Sequence, residues 1–144
     1  MSEPEKKSRM DRLSERIESH GFESLTPSER SAFALRWFYI EVNNGGFDQF
    51  FFNDAGKFAG DALRGLELFG APVTADILRR AMSVFPSRVV PADQKERREF
   101  MCDSLTDEQK ELLEGLDTEF YESSEAVSDL LTDYIEKHPE EFPT

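Results

Sequence analysis

Apolar residues recur along most of this chain at spacings of three and four, the period of helices that bury one face. Leu13 and Ile17 open such a pattern, and His20-Gly21 closes it. Thr26-Pro27-Ser28-Glu29 then reads as a helix start: an N-cap threonine, proline at the first helical position, and a glutamate placed to complete a capping box. The run from Ser31 to Val42 is apolar nearly all round, which predicts a central buried helix. Asn43-Asn44-Gly45-Gly46 is expected to end it, because these residues tolerate the left-handed backbone of a helix C-terminus.

The pattern continues with a short helix over Phe47 to Asn53, in which Phe47, Phe50 and Phe51 share a face. A turn at Asp54–Gly56 and a helix from Phe58 to Phe69, closed by Gly70, come next. Thr74 is expected to cap a helix carrying Ile77, Leu78 and Ala81. Residues 86–91 read as a connector, and a charged helix from Asp93 to Cys102 follows. Thr106 and Gln109 form a second capping box, and Leu105, Leu112, Leu113, Leu116 and Phe120 make one apolar stripe. The last helix, Ser124 to Lys137, has a stripe of Val127, Leu130, Leu131, Tyr134 and Ile135. No segment alternates with period two, and no hairpin signal joins β-rich runs. The pattern therefore predicts an all-α fold: a single-domain compact bundle of about six to eight helices over residues 10–144, behind a flexible polar tail at 1–9.

Charge changes this picture. The chain of 144 residues has a formal charge of −13. Residues 101–144 hold 14 acids and 2 bases, so the C-terminal third carries nearly all of the excess. Such a protein repels nucleic acid and anionic membrane and attracts basic partners. A lone cysteine, Cys102, allows no internal disulfide. No apolar run approaches the roughly 20 residues that span a bilayer. The N-terminal residues lack an apolar signal core, so a cytoplasmic protein is expected.

The inventory for catalysis is thin. His20 and His138 lie near opposite ends, each beside a helix-ending signal, where a histidine acts as a charge partner for the helix terminus. No nucleophile, phosphate-loop, dinucleotide or zinc motif is present. Asp103, Asp107 and Glu108 lack the spacing of a calcium loop. The reading is of a protein that is not an enzyme, with no catalytic residue, metal or cofactor.

Two constellations stand out. The first is Trp37-x3-Glu41-x-Asn43-Asn44-Gly45-Gly46-Phe47-x-Gln49-Phe50-Phe51-x-Asn53, followed by Gly56. Read structurally, the glycines permit a tight reversal, Glu41 or Asn43 accepts from amides opening the next helix, and Gln49 and Asn53 bridge to nearby backbone. The alternative is a small hydrolase built on Glu41 and Asn53. A buried pocket containing both, open to solvent, would favour that; a closed, fully hydrogen-bonded turn would remove it.

The second is a pair of acidic helix faces. Asp107, Glu108, Glu111, Glu114 and Asp117 line one helix; Glu125, Asp129, Asp133 and Glu136 line the next. Only Lys110 and Lys137 lie nearby, so like charges repel at i,i+4 spacing. Carboxylates four apart sit about 6 Å apart along a helix, so two such helices side by side approach the phosphate spacing of one DNA strand, about 3.4 Å. These nine residues are the candidate partner-binding surface.

The first constellation also carries a resemblance. Its Asn-Gly-Gly-Phe-x-Gln-Phe-Phe-x-Asn core resembles that of a family of bacterial helical domains whose studied branch is an acidic DNA-mimic protein, with the likeness spanning roughly residues 28–138. The resemblance implies an all-helical fold and, from the studied branch, a homodimer that occupies the DNA-binding surface of a transcription factor. Together these readings give an acidic protein-binding domain whose partner is a basic DNA-binding protein, with no direct contact to nucleic acid or membrane. An immunity-type inhibitor of a basic toxin nuclease would rest on the same physics.

Overall fold

Thr26 starts the helix around which the others are arranged. Its hydroxyl accepts from the Glu29 amide at 3.2 Å, and Glu29 Oε1 accepts from the Thr26 amide at 2.8 Å, so the expected capping box forms. The computed structural model describes residues 9–143; residues 1–8, most of the expected polar tail, lie outside the described residues. Seven α-helices and no strand occur among the described residues. They are α1 (Arg9–His20), α2 (Pro27–Phe52), α3 (Ala59–Leu68), α4 (Pro72–Met82), α5 (Gln94–Glu99), α6 (Asp107–Glu122) and α7 (Val127–Lys137). The fold is a compact all-α bundle, as the helical periodicity requires. No helix among the described residues is long and apolar enough to cross a membrane.

The long helix α2 is central, with α3 and α6 packed along it. It is not apolar all round: Arg36, Trp37 and Ile40 face outward, while Leu35, Phe38 and Val42 are buried. Phenylalanines supply much of the core, and several of their rings meet edge to face, as ring quadrupoles favour, while others are tilted. Phe38 meets Phe50 at 5.1 Å between centroids and Phe120 at 5.7 Å, and Phe51 meets Phe85 at 5.0 Å.

The two ends of the described chain clasp each other. Arg16 Nη1 on α1 donates to the Pro143 carbonyl at 2.6 Å and pairs with the buried Glu29 carboxylate. Thr26 Oγ1 donates to the Glu141 carbonyl at 2.9 Å, and Leu13 and Phe142 are both buried.

Several sequence expectations need correction. Asn43-Asn44-Gly45-Gly46 interrupts the helix as expected, with Gly46 at a positive φ, but the second helical segment follows directly and runs to Phe52, so the two make one kinked α2. Thr74 lies in the first turn of α4, which begins at Pro72, and is not its N-cap. The helix expected from Asp93 to Cys102 is α5 followed by a π-helical turn, Phe100–Ser104. Leu112, assigned to the inner stripe of α6, is 39% exposed, while Leu113, Leu116 and Phe120 are buried. The last helix begins at Val127, so Glu125 precedes it.

Candidate functional site

The kink in α2 organises the first constellation. Gly45 has φ −154° and ψ 18°, and Gly46 has φ 75° and ψ −174°, so the helix is broken for two residues and then resumes. A break of this kind frees backbone groups that need partners. Asp117 Oδ1, on α6, accepts from the Phe47 amide at 2.8 Å. Tyr121, one turn later on α6, donates its hydroxyl to the Val42 carbonyl at 2.7 Å. A single face of α6 thus supplies an acceptor to one side of the break and a donor to the other.

The glycines follow from this. Gly46 takes a positive φ, and a Cβ there would strike the Asp117 carboxylate. Gly45 has an ordinary φ, but a Cβ there would strike the Gln49 side chain. That side chain has work to do: Gln49 Nε2 donates to Glu41 Oε2 at 2.7 Å, and Asn53 Nδ2 donates to the same oxygen at 3.0 Å. The kink folds the second segment of α2 back so that two amides four residues apart meet a carboxylate on the first. The expectation that Glu41 or Asn43 would cap the opening amides, and that Gln49 and Asn53 would bridge to backbone, is therefore corrected. Asn43 Nδ2 donates to the Tyr39 carbonyl at 2.8 Å within the helix, and Asn44 is exposed.

The C-terminal end of α2 is held by two arginines of α5. Arg97 is fully buried; its Nε donates to the Phe51 carbonyl at 2.6 Å and its Nη2 to the Asn53 carbonyl at 2.9 Å. Nη1 donates to the Pro91 carbonyl at 2.9 Å. Burial pushes the guanidinium below its usual range, with the Asp54 charge opposing that. Arg98 Nε donates to the Phe52 carbonyl at 2.9 Å. A Cβ at Gly56 would meet Arg97 Nε and the Phe50 carbonyl, which explains why that position is glycine.

Beside this end opens a pocket of about 440 Å³. Phe33, Trp37 and Phe58 give it aromatic walls, and Glu41, Asn53, Asp54 and Arg98 give it polar ones. Trp37, read from sequence as scaffold, is 40% exposed and faces this space. The pocket meets part of the condition set for the Glu41/Asn53 alternative: both residues line it and it is open, but none of its lining residues is buried. Its lining also includes no hydroxyl, thiol or imidazole to act as a nucleophile. Sequence reasoning did not reach Arg98, Asp54 or Phe58 as pocket residues, because only the packing of α5 and the turn Asp54–Phe58 against α2 brings them there.

The nine carboxylates of the second constellation divide into two groups. Two are engaged within the fold. Asp117 is half-buried at the kink, and burial, with Asp48 and Glu114 nearby, raises its carboxyl above the usual range despite the Phe47 amide. Glu125 caps α4: it accepts from the Val73 amide at 2.9 Å, the Thr74 amide at 2.6 Å and the Thr74 hydroxyl at 2.7 Å. Burial alone would raise the Glu125 carboxyl, but those three hydrogen bonds outweigh it and hold the group below the usual range.

The other seven, Asp107, Glu108, Glu111, Glu114, Asp129, Asp133 and Glu136, are exposed. Among the described residues, no lysine or arginine forms an ion pair with any of them. Elsewhere acids find arginines: Glu67 pairs with Arg79 at 2.9 Å and Glu119 with Arg80 at 2.6 Å. The helices bearing the seven are not laid side by side, as the DNA-like spacing assumed; α6 rests on α2 and α4, and α7 rests on α2.

No curated protein and no solved structure matches the chain. The chain belongs to the DMP19-like protein family, which matches residues 23–138.

Proposed function

We propose that this member of the DMP19-like family is an acidic protein-binding domain that acts as a DNA mimic, occupying the basic nucleic-acid-binding surface of a DNA-binding protein. The observation that carries the reading is the set of seven exposed, unpaired carboxylates on α6 and α7. Like charges at i,i+4 spacing, such as Asp107 with Glu111 and Asp129 with Asp133, cost about 0.2–0.5 kcal/mol per pair. That cost is recovered when a basic surface docks, and the same field speeds the encounter. A net charge of −13 also keeps the protein off nucleic acid itself.

The test is competition. A basic DNA-binding protein captured by this chain, once purified, should release its duplex DNA as the chain is added, with one ligand excluding the other. Formation of a ternary complex, with DNA and this chain bound together, would contradict occupation of the DNA surface. The identity of the captured protein, transcription factor or nuclease, sets the biological role.

A further inference from the structure

Glu41 uses only one of its oxygens. Both Gln49 Nε2 and Asn53 Nδ2 donate to Oε2, and among the described residues no hydrogen bond reaches Oε1. Two amides on one oxygen fix the direction of the carboxylate while leaving its second oxygen available. That carboxylate lines the 440 Å³ pocket, a volume within the range of small-molecule sites.

The rest of the lining determines what fits. The faces of Phe33, Trp37 and Phe58 are electron-rich, and such faces attract cations. Phe58 is already covered, by Lys57 Nζ 4.9 Å from its centroid and by the Phe22 ring at 4.5 Å, so Trp37, 40% exposed, is the wall most open to a ligand. Asp54 adds a second carboxylate. The one cation in the lining, Arg98, is occupied: its Nε donates to the Phe52 carbonyl and its guanidinium lies 4.5 Å from the centroid of the Phe52 ring. Among the described residues it forms no ion pair with Glu41.

We propose that this pocket binds a guanidinium-type organic cation on a short apolar stem, its charge on Glu41 Oε1 and its plane against the aromatic walls. A guanidinium suits this site better than an ammonium, because it is flat, weakly hydrated and stacks on rings. The site stands apart from the acidic surface of α6 and α7 and does not rest on the DNA-mimic reading.

Trp37 is the only tryptophan in the chain, so the fluorescence of the intact protein reports on the pocket directly. Titration with n-butylguanidinium is expected to give a saturable change that its neutral isostere n-butylurea does not. Glu41→Gln keeps an oxygen for the Gln49 and Asn53 amides but removes the charge, and it is expected to weaken binding at least tenfold. Trp37→Leu keeps an apolar side chain at a position already 40% exposed; with folding checked by circular dichroism, calorimetry on it is expected to show severalfold weaker binding. A Gly-Arg-Gly tripeptide distinguishes the sources of the cation. Binding at least as tight as n-butylguanidinium assigns the site to an arginine of a protein partner, and much weaker binding assigns it to a free small cation. No saturable change with n-butylguanidinium, equal binding of n-butylurea, or unchanged affinity in either variant overturns the proposal.

Discussion

Asp117 on α6 accepts a hydrogen bond from the amide of Phe47 at 2.8 Å, and through it a distant helix caps the restart of α2 after its kink. The bond uses one carboxylate oxygen as the acceptor that a local N-cap residue would otherwise supply. Asp117→Ala removes the acceptor and leaves a part-buried amide unpaired, so it should cost about 1–2 kcal/mol in denaturant unfolding. Asp117→Asn keeps an oxygen acceptor and removes the charge beside Asp48 and Glu114. It should be at least as stable as wild type at neutral pH.

The same residue gives a pH dependence. Its carboxyl is raised in the folded chain, so the folded state holds that proton more tightly than the unfolded state. Stability from this group is therefore present at low pH and declines as pH rises from the ordinary carboxylate value through the raised folded one. Wild type minus Asp117→Asn, followed by unfolding across that window, should show this decline. A flat difference would remove the assignment.

Glu125 runs the other way. Three hydrogen bonds from Val73 and Thr74 hold its carboxyl below the usual range, so its stabilisation is full above the unfolded value and is lost as pH falls through the folded one. Glu125→Gln should cost about 1 kcal/mol at neutral pH, as loss of a charged cap does, and little at pH values below the folded carboxyl's range. Equal costs at both pH values would show that the cap works by shape alone.

The two glycines of the kink separate fold from pocket. Gly46→Ala meets both a positive φ and the Asp117 carboxylate, and should destabilise the protein by about 1–2 kcal/mol or more. Gly45→Ala has a permitted backbone but displaces Gln49 from Glu41. It should also cost stability, because its Cβ would lie 2.8 Å from Gln49 Cβ, and it alone should change the Trp37 emission, because one of the two amides that fix Glu41 in the pocket wall is lost. Melting curves and emission spectra of the two variants check this.

These cases also show what the sequence makes legible. The capping boxes at Thr26 and Thr106 were readable because an N-cap acts over three residues, and both form as expected. The buried face of Phe47, Phe50 and Phe51 was readable from spacing alone. The roles of Asp117, Glu125 and Arg97 were not. Each serves a backbone group many residues away, so locally each reads as a solvated charge on a helix face. The break at Gly45-Gly46 is legible from the residues that make it, but the direction in which the helix resumes is not, because contacts from other elements, such as those of Asp117 and Tyr121 on α6, set it. The relation of α6 to α7 was not readable either, because each helix's inner stripe says that it packs but not on what.

The central claim rests on the exposed carboxylates, and it is tested most directly by removing their charge. Asp107, Glu108, Glu111, Glu114, Asp129, Asp133 and Glu136 are changed together to Asn or Gln, leaving Asp117 and Glu125 to hold the fold. The variant should fold and melt at or above the wild-type temperature, since like-charge repulsion falls. Affinity for a captured basic DNA-binding partner is then measured for both proteins at low and moderate salt. Wild-type affinity should fall steeply with salt, because exposed charges are screened beyond about 10 Å at 0.1 M. The variant should bind at least tenfold more weakly at low salt, through slower association, and depend little on salt. Equal affinity and equal salt dependence in the two proteins would contradict the DNA-mimic account.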